Sequence, residues 1–432
     1  MIRKVHDYFK RYRIAFSTGW FLAIRAIRHS SKWTTGLIVF IMVLTFLNLV
    51  VVSGLLSGLI VGSFQQFRES YPGEVIVTAA AKKDFVENSQ SLYSFLEHHP
   101  KVSAFSARYG VSGQVLGTLN DLPEKDERAN KIGIRVVGVD FVKEEPVTHF
   151  SRFLMSGELL NQEEEGYALI GANMLKKYST FADANIPGLD FLADVDVGSK
   201  IRLTLTSGDS VVSKEFIIKG IVKSKVDEIS TRLFIPAKEL RRLLTVNQEQ
   251  YQEFAIKTDP LYASTLVAEI KDFMVGHDAR IQTSLEAIPS FLRDMEVTFA
   301  ILGNSLSSIA LVVAAITIFI VIFINAITKR KFIGIMKGIG ISPLVIELSY
   351  IFQAIIYGIV GSAIGLLLTF GLMKPYFDTN PIDFPFSDGI LVATPDGAAI
   401  RVVILLFVTL VAGYIPAKII VRRNTLDAIL GR

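Results

Sequence analysis

The chain has 432 residues, of which 50% are hydrophobic and 20% charged, with a formal net charge of +4 and no cysteine. Soluble domains carry about a quarter charged residues, so this composition is that of a membrane protein. The missing cysteines remove disulfides, thiolate metal sites, cysteine nucleophiles and an N-terminal lipoprotein anchor, and the small charge excess gives no argument for nucleic acid.

Residues 1–33 hold Arg3, Lys4, Lys10, Arg11, Arg13, Arg25, Arg28 and Lys32 against a single acid, Asp7, and include Trp20 and Trp33, which suit an interface. Basic flanks favour the cytoplasmic side, so 1–33 is expected to be a cytoplasmic basic segment. No charge interrupts Thr34 to Val61, and about 20 apolar residues cross a bilayer. The apolar core of a cleaved signal peptide is shorter, about 7 to 15 residues, so 34–62 reads as an uncleaved first span. Its outer half carries Gly54, Gly58 and Gly62 at four-residue spacing. They are either a groove for close helix packing or the ordinary small-residue content of a membrane helix.

From 63 to 296 the sequence is polar and contains no spanning run. Strands are predicted at Glu74 to Ala80, Val102 to Gly117, Ile132 to Asp140, Ile201 to Thr206, Val211 to Val222 and Phe254 to Lys257. Helices are predicted at Gln90 to His98, Ala172 to Tyr178, Pro236 to Leu244 and Ala263 to Val275. With turn signals such as Ser207-Gly208-Asp209, this alternation predicts a folded α+β domain, long enough for two subdomains. Strand followed by helix recurs at both ends, which suits a middle subdomain inserted into an outer one.

A second charge-free run covers 297–327. Roughly thirty residues at 1.5 Å each make about 45 Å, more than the hydrocarbon core needs, so this helix is expected to continue outward as a stalk. A third run, 344–373, holds Gly361 and Gly365 in a G-x-x-x-G arrangement, and a fourth covers 400–421 and ends near Lys418, Arg422 and Arg423. Between them, 374–399 is acidic, with Asp378, Asp383, Asp388 and Asp396. Four spans with both termini cytoplasmic satisfy every flank, and place the large domain and the 374–399 loop outside.

The linking segment 328–343 has an organised pattern. Phe332, Ile335, Met336 and Ile339 fall on one helical stripe, with Gly334, Lys337 and Gly338 roughly opposite, and Pro343 marks the expected stop. This predicts a short amphipathic helix on the cytoplasmic face, against the alternative of a plain positive-inside loop bearing Lys329, Arg330 and Lys331. No catalytic, cofactor or metal site emerges. The sequence lacks G-x-x-x-x-G-K-[ST]. His98 and His99 are adjacent, and neighbours on a helix point about 100° apart, so they make a poor metal pair. The spans hold no central acid of the kind an ion-driven carrier uses.

These features resemble the MacB/FtsX-type ABC transporter permeases: one span, a large extracytoplasmic domain, then three spans. The resemblance rests on Ala26-Ile27-Arg28 before the first span and on Lys331 to Ser342 (KFIGIMKGIGIS), which is similar to the family's R-E-I-G-I-L-K-A-L-G-A-S. It rests also on Gly413-Tyr414-Ile415-Pro416-Ala417-Lys418 followed by Thr425-Leu426-Asp427-Ala428-Ile429-Leu430, similar to G-Y-x-P-A-R and P-x-E-A-L-R. Phe332 replaces the motif's acid, Gly338 its small residue after Lys, and Thr425 its proline.

The resemblance implies four transmembrane helices, one plus three, with a large α+β extracytoplasmic domain inserted between helices 1 and 2. It implies a multi-pass protein of the inner or cytoplasmic membrane that is not itself an enzyme. The expected partners are a cytoplasmic ABC ATPase dimer on a separate chain, a second permease copy, identical or paralogous, and membrane lipids. ATPase coupling is assigned to Lys329, Arg330, Lys331, Phe332, Ile335, Met336, Lys337 and Ile339, and helix packing to Gly54, Gly58, Gly62, Gly361 and Gly365. Size and layout are closest to the lipoprotein-releasing members, which suggests an amphipathic substrate: lipoprotein, lipid or peptide. The alternative is an FtsX-like regulator that activates an extracytoplasmic cell-wall hydrolase and transports nothing.

Overall fold

The structure is a computed structural model that describes residues 2–117, 130–179, 182, 190–207, 210–245, 250–384 and 387–421, with side chains from Arg13 onward. Gly208 and Asp209 of the predicted turn, the flank Arg422 and Arg423, and the motif Thr425 to Leu430 lie outside the described residues. The chain divides into two compact units. One comprises Met1–Ile60, Asp294–Asp383 and Asp388–Arg432; the other comprises Val61–Arg293 with Phe384–Ser387.

The basic N-terminal segment is a 27-residue helix, α1 (Ile2–Arg28), with Arg25 and Arg28 in its last turn, where positive charge offsets the helix dipole. The first span follows as α2 (Lys32–Leu47), a π-helical turn at Asn48–Val52, and α3 (Ser53–Ser70). Single π turns inside α-helices recur at functional sites.

The second unit is built on one long strand that belongs to two structures. Strand β1 (Val75–Ala79) precedes α4 (Ser89–His98), and β2 runs over fifteen residues, Val102–Leu116. The chain then forms β3 (Lys131–Val139), α5 (Phe141–Thr148), β4 (Leu154–Gly157), β5 (Tyr167–Gly171), β6 (Lys200–Ser207) and β7 (Ser210–Val222). After α6 (Asp227–Ser230), β8 (Arg232–Pro236) and α7 (Ala237–Leu244), it returns through β9 (Glu253–Thr258), α8 (Ala263–Phe273) and β10 (Ala279–Thr283). The first half of β2 lies in an outer antiparallel sheet of order β10-β1-β9-β2, the split βαβ arrangement. Helices α4 and α8 cover it, with Leu92, Leu96, Leu266 and Ile270 against Val75, Val77, Phe254 and Ile256.

The second half of β2 pairs with both β3 and β6, and the pairings β3-β8, β8-β5, β5-β7 and β7-β6 close the circuit into a barrel. Alternation fills its interior, with Ile132, Ile134 and Val136 from β3 and Ile201, Leu203 and Leu205 from β6 all buried. The helix predicted over Ala172 to Tyr178 is only a 3-10 turn, Ala172–Met174. Leu175, just beyond it, makes a β-bridge to Leu192 and leaves the helical path.

The chain re-enters the membrane unit in α9 (Ser290–Thr328), followed by α10 (Arg330–Gly338) and α11 (Pro343–Leu368). A π turn at Thr369–Met373, α12 (Lys374–Thr379) and α13 (Pro395–Val421) complete it. Among the described residues four helices are long and apolar enough to cross a membrane: Lys32–Ser70, Ser290–Thr328, Pro343–Thr379 and Pro395–Ile419. The protein is therefore a membrane protein of four spans with a large α+β domain inserted between the first and second.

Helix α11 is the centre of the bundle and packs on α1, α2 and α13. A Cβ at Gly361 would lie 2.3 Å from Met42 Cβ, and one at Gly365 would lie 2.4 Å from Phe46 Cδ1. Both contacts advance together along α2 and α11, so the two helices run parallel and their π turns fall at matching levels. Helix α9 buries a narrow stripe, Ala314, Ile318, Ile322 and Ala326, and exposes apolar side chains around the rest of its circumference.

Candidate functional site

Between α9 and α11 the chain makes one short helix whose two ends are built differently. Lys329 stands at the N-cap of α10 with no side-chain cap. The C-terminal end closes through a Schellman pair: Ile341 N–H donates to Met336 C=O at 2.9 Å, and Gly340 N–H to Lys337 C=O at 3.0 Å. That closure needs a left-handed residue, and Gly340 supplies it with φ +93°. The helix thus stops at Gly340, three residues before the expected stop, and Pro343 instead opens α11 at its first turn.

One face of α10 belongs to the bundle. Ile333 is 3% exposed and shares a core cluster with Ile346, Tyr350, Ala417 and Val421, and Gly334 beside it is buried. Met336, read from the sequence as part of the free stripe, packs on this cluster. At about 100° per residue it lies on the stripe's flank nearest Ile333. Lys337 is half-buried, and its Nζ donates to the carbonyl of Val421, the last described turn of α13. This bond ties the back of α10 to α13.

The opposite face is bare. Phe332 is 69% exposed, Ile335 52% and Ile339 73%, and Lys329, Arg330 and Lys331 are exposed beside them. No acid occurs within α10. The arrangement is an apolar ridge with a basic border, held by a helix whose back is fixed to the membrane bundle.

The other sequence-predicted residues lie elsewhere. A Cβ at Gly54 would come within 2.9 Å of Val392 O, and one at Gly58 within 1.8 Å of Ile390 O. What approaches these glycines is therefore the extended segment before α13, not a helix. Gly62 is buried in the domain unit, and Gly361 and Gly365 receive α2 as described. His98 and His99 turn to separate partners, Ser94 O and Glu269. Among the described residues no group of three or more His, Cys, Asp or Glu could hold a metal ion. At the other end of the fourth span, Arg401 Nη2 donates to Ser53 Oγ at 2.8 Å.

Two features escaped the sequence reading. Helix α1 seats Ala15, Gly19 and Ala23 in the bundle, with Phe16 and Trp20 edge-on to Phe352 of α11. The spacing of those small residues was the available signal. The second is a buried ionic cluster in the domain. Arg108 is 4% exposed; its Nε donates to Glu144 at 2.9 Å, its Nη1 to Glu253 at 2.7 Å and its Nη2 to the backbone carbonyl of Tyr71 at 2.9 Å. The Tyr71 hydroxyl donates to Glu253 at 2.6 Å and accepts from Arg232 Nη1 at 3.1 Å, while its ring lies 4.9 Å from each guanidinium. Burial alone would raise the Glu253 carboxyl, but Arg108 and Arg232 outweigh it and hold it below the usual carboxylate range. Burial and then Glu253 push the Tyr71 phenol well up, so it stays a donor. Its members are scattered from 71 to 253, and no local pattern announces them.

Residues 304–425 match the family described as FtsX-like permease C-terminal. The chain is 22% identical to the macrolide export ATP-binding/permease protein MacB of Campylobacter jejuni subsp. jejuni (strain 81-176) over 275 residues, 61% of this chain and 42% of that protein. It is 27% identical to the ABC transporter permease YtrF of Bacillus subtilis (strain 168) over 165 residues, 34% of this chain and 35% of that protein. In both cases the match spans less than half the length of the relative.

Proposed function

We propose, from the premise that this chain is a MacB/FtsX-type ABC transporter permease, that it couples ATP hydrolysis by a cytoplasmic ABC ATPase to movement of its large domain on the outer side of the membrane. The carrying observation is the bare ridge of Phe332, Ile335 and Ile339 on a helix whose back, Ile333 and Lys337, is fastened to the bundle. Exposed aromatic and aliphatic side chains on a rigid support are what a partner's groove takes as anchors, with Lys329, Arg330 and Lys331 at the border or at lipid phosphates. One relative's name joins ATP binding to permease in a single protein, and this sequence has no phosphate-binding loop of its own. Phe332, where the family motif has an acid, makes the ridge more apolar, so the ATPase groove here is expected to be apolar too.

Two such chains, identical or paralogous, serve one ATPase pair in this reading. Both termini are cytoplasmic in the cell's inner or cytoplasmic membrane, and the substrate is an amphipathic lipoprotein, lipid or peptide taken at the outer leaflet. The test is the double substitution Phe332→Asp with Ile335→Asp in proteoliposomes holding the chain and its ATPase. The chain should insert normally while substrate-stimulated ATP hydrolysis and release are lost. Unchanged stimulation would sink the docking assignment.

A further inference from the structure

The buried cluster around Arg108 lies where three parts of the domain meet. Arg108 is the residue at which β2 leaves the outer sheet: it pairs with Glu253 of β9, and its neighbour Tyr109 already pairs with Gly138 of β3. Glu253 is the first residue of β9 and belongs to the outer sheet. Arg232 is the first residue of β8 and belongs to the barrel side, while Glu144 sits on α5, which follows β3 and packs back on β2 and β9. Tyr71 follows the end of α3, the outward continuation of the first span. Every pair of these parts is bridged: α3's end to the sheet by Tyr71 with Glu253, α3's end to the barrel by Arg232 with the Tyr71 hydroxyl, and sheet to barrel through that same hydroxyl, which holds Glu253 and Arg232 together, while Arg108 ties α5 to the point where β2 crosses.

The surroundings reinforce the junction. Phe67 and Tyr71 form an apolar cluster with Ile76 of β1, Val226 before α6 and Ile288, with Leu292 of α9 packed against it. The ends of both membrane-connected helices therefore converge on the residues that join sheet to barrel. Within this closed set, rotation of one part against another would leave a buried charge without its partner, the most costly state such a cluster can enter.

We propose that the Arg108 cluster is the joint that makes the end of α3, the outer sheet and the barrel move as one body, so that stalk displacement reaches the whole domain and is not absorbed between its halves. This rests on the coupling reading for its purpose, though not for its geometry. Arg108 and Tyr71 are positioning residues in this role; they touch neither the ATPase ridge nor any substrate described above.

The experiment uses the full chain in nanodiscs. It has no native cysteine, so spin labels can be placed at the exposed positions Gln65, Val211 and Leu261 through single cysteine substitutions. These positions report the stalk, the barrel and the flank of the outer sheet. The 211 to 261 distance should be a single narrow distribution, unchanged when the ATPase and ATP are added. Arg108→Gln should lose that single distribution. Tyr71→Phe keeps the ring between the guanidinium groups but removes both hydroxyl bonds, and should broaden the same distance less, so it carries the test if the first variant fails to fold. Lys238→Gln, which breaks only an exposed pair with Glu163, should leave it as it was. A 211 to 261 distribution as narrow in Tyr71→Phe as in the unaltered chain overturns the joint. With ATPase present, both cluster variants should bind the ATPase normally yet lose stimulated hydrolysis. If the unaltered chain binds no ATPase, the coupling reading fails while the distance result still decides the joint.

Discussion

Gly58→Ala puts one methyl group where a backbone carbonyl already lies. The new Cβ would sit 1.8 Å from Ile390 O and 2.9 Å from its carbonyl carbon, and neither atom can turn away as a side-chain tip would. The strip from Ile390 to Val392 must shift, and with it the bond from Val392 N–H to Gly54 C=O, 3.1 Å in the native structure. Overpacking costs about 1 to 3 kcal/mol, and a weakened hydrogen bond adds about 1 kcal/mol. Alanine's better helix propensity returns about 1 kcal/mol, leaving a net loss of about 1 to 3 kcal/mol. Gly36 provides the control inside the same span, because a Cβ there meets nothing within 4 Å. Gly36→Ala should be neutral or stabilising by up to about 1 kcal/mol. Unfolding of both variants in mixed micelles, followed by circular dichroism, should separate them by about 1 to 4 kcal/mol. Equal midpoints would refute the claim that this segment is pressed against the first span.

Lys337→Gln separates two roles for one residue: if the lysine fastens α10 to α13, ATPase association measured by co-purification is retained while stimulated hydrolysis falls. Weaker, less salt-sensitive association would instead return Lys337 to the docking border. A pH dependence follows from Glu228 of α6 and from Glu74, whose carboxyls burial raises above their ordinary value of 4.5. An acid raised in the folded state adds stability that is complete below its unfolded pKa and is lost as pH rises through the folded value. The domain's thermal midpoint should therefore rise as pH is lowered from neutrality toward the ordinary carboxylate range, and Glu228→Gln should flatten that slope. Glu253, held low, and the exposed paired carboxylates act only below that range, so an unchanged slope in the variant would count against the assignment.

The spans were legible because hydrophobic length is a property of consecutive residues, and so was the amphipathic stripe at 332–339. What the sequence could not settle was which side of each boundary residue faced the bundle. Met336 and Lys337 both look like members of a free surface until Ala417 and Val421, some eighty positions later, are brought beside them. Helix α1 was hidden for a related reason: its charges announce a membrane flank more loudly than Ala15, Gly19 and Ala23 announce a packing face. In the domain, strands such as β6 and β7 were readable from alternation, whereas β5 is short and apolar and β8 is short and apolar after Arg232, a pattern shared with buried helix segments. Helix α5 contains Pro146, which argues against a helix locally, and it is the helix that delivers Glu144 to Arg108. The ionic cluster itself belongs to tertiary structure alone.

Strand β2 carries the chain out of the outer sheet at Arg108, and β9 brings it back at Glu253, its direct partner across the ladder. The entire excursion from 109 to 252 therefore departs and returns through a single doorway between antiparallel neighbours, a gap that a hairpin turn is able to span. The outer sheet does not depend on what is hung there for its strand order. Exchanging the pendant module would leave that strand order in place but would take Val226 and Arg232 away from the end of α3, so the footing of the first span would have to be rebuilt with it.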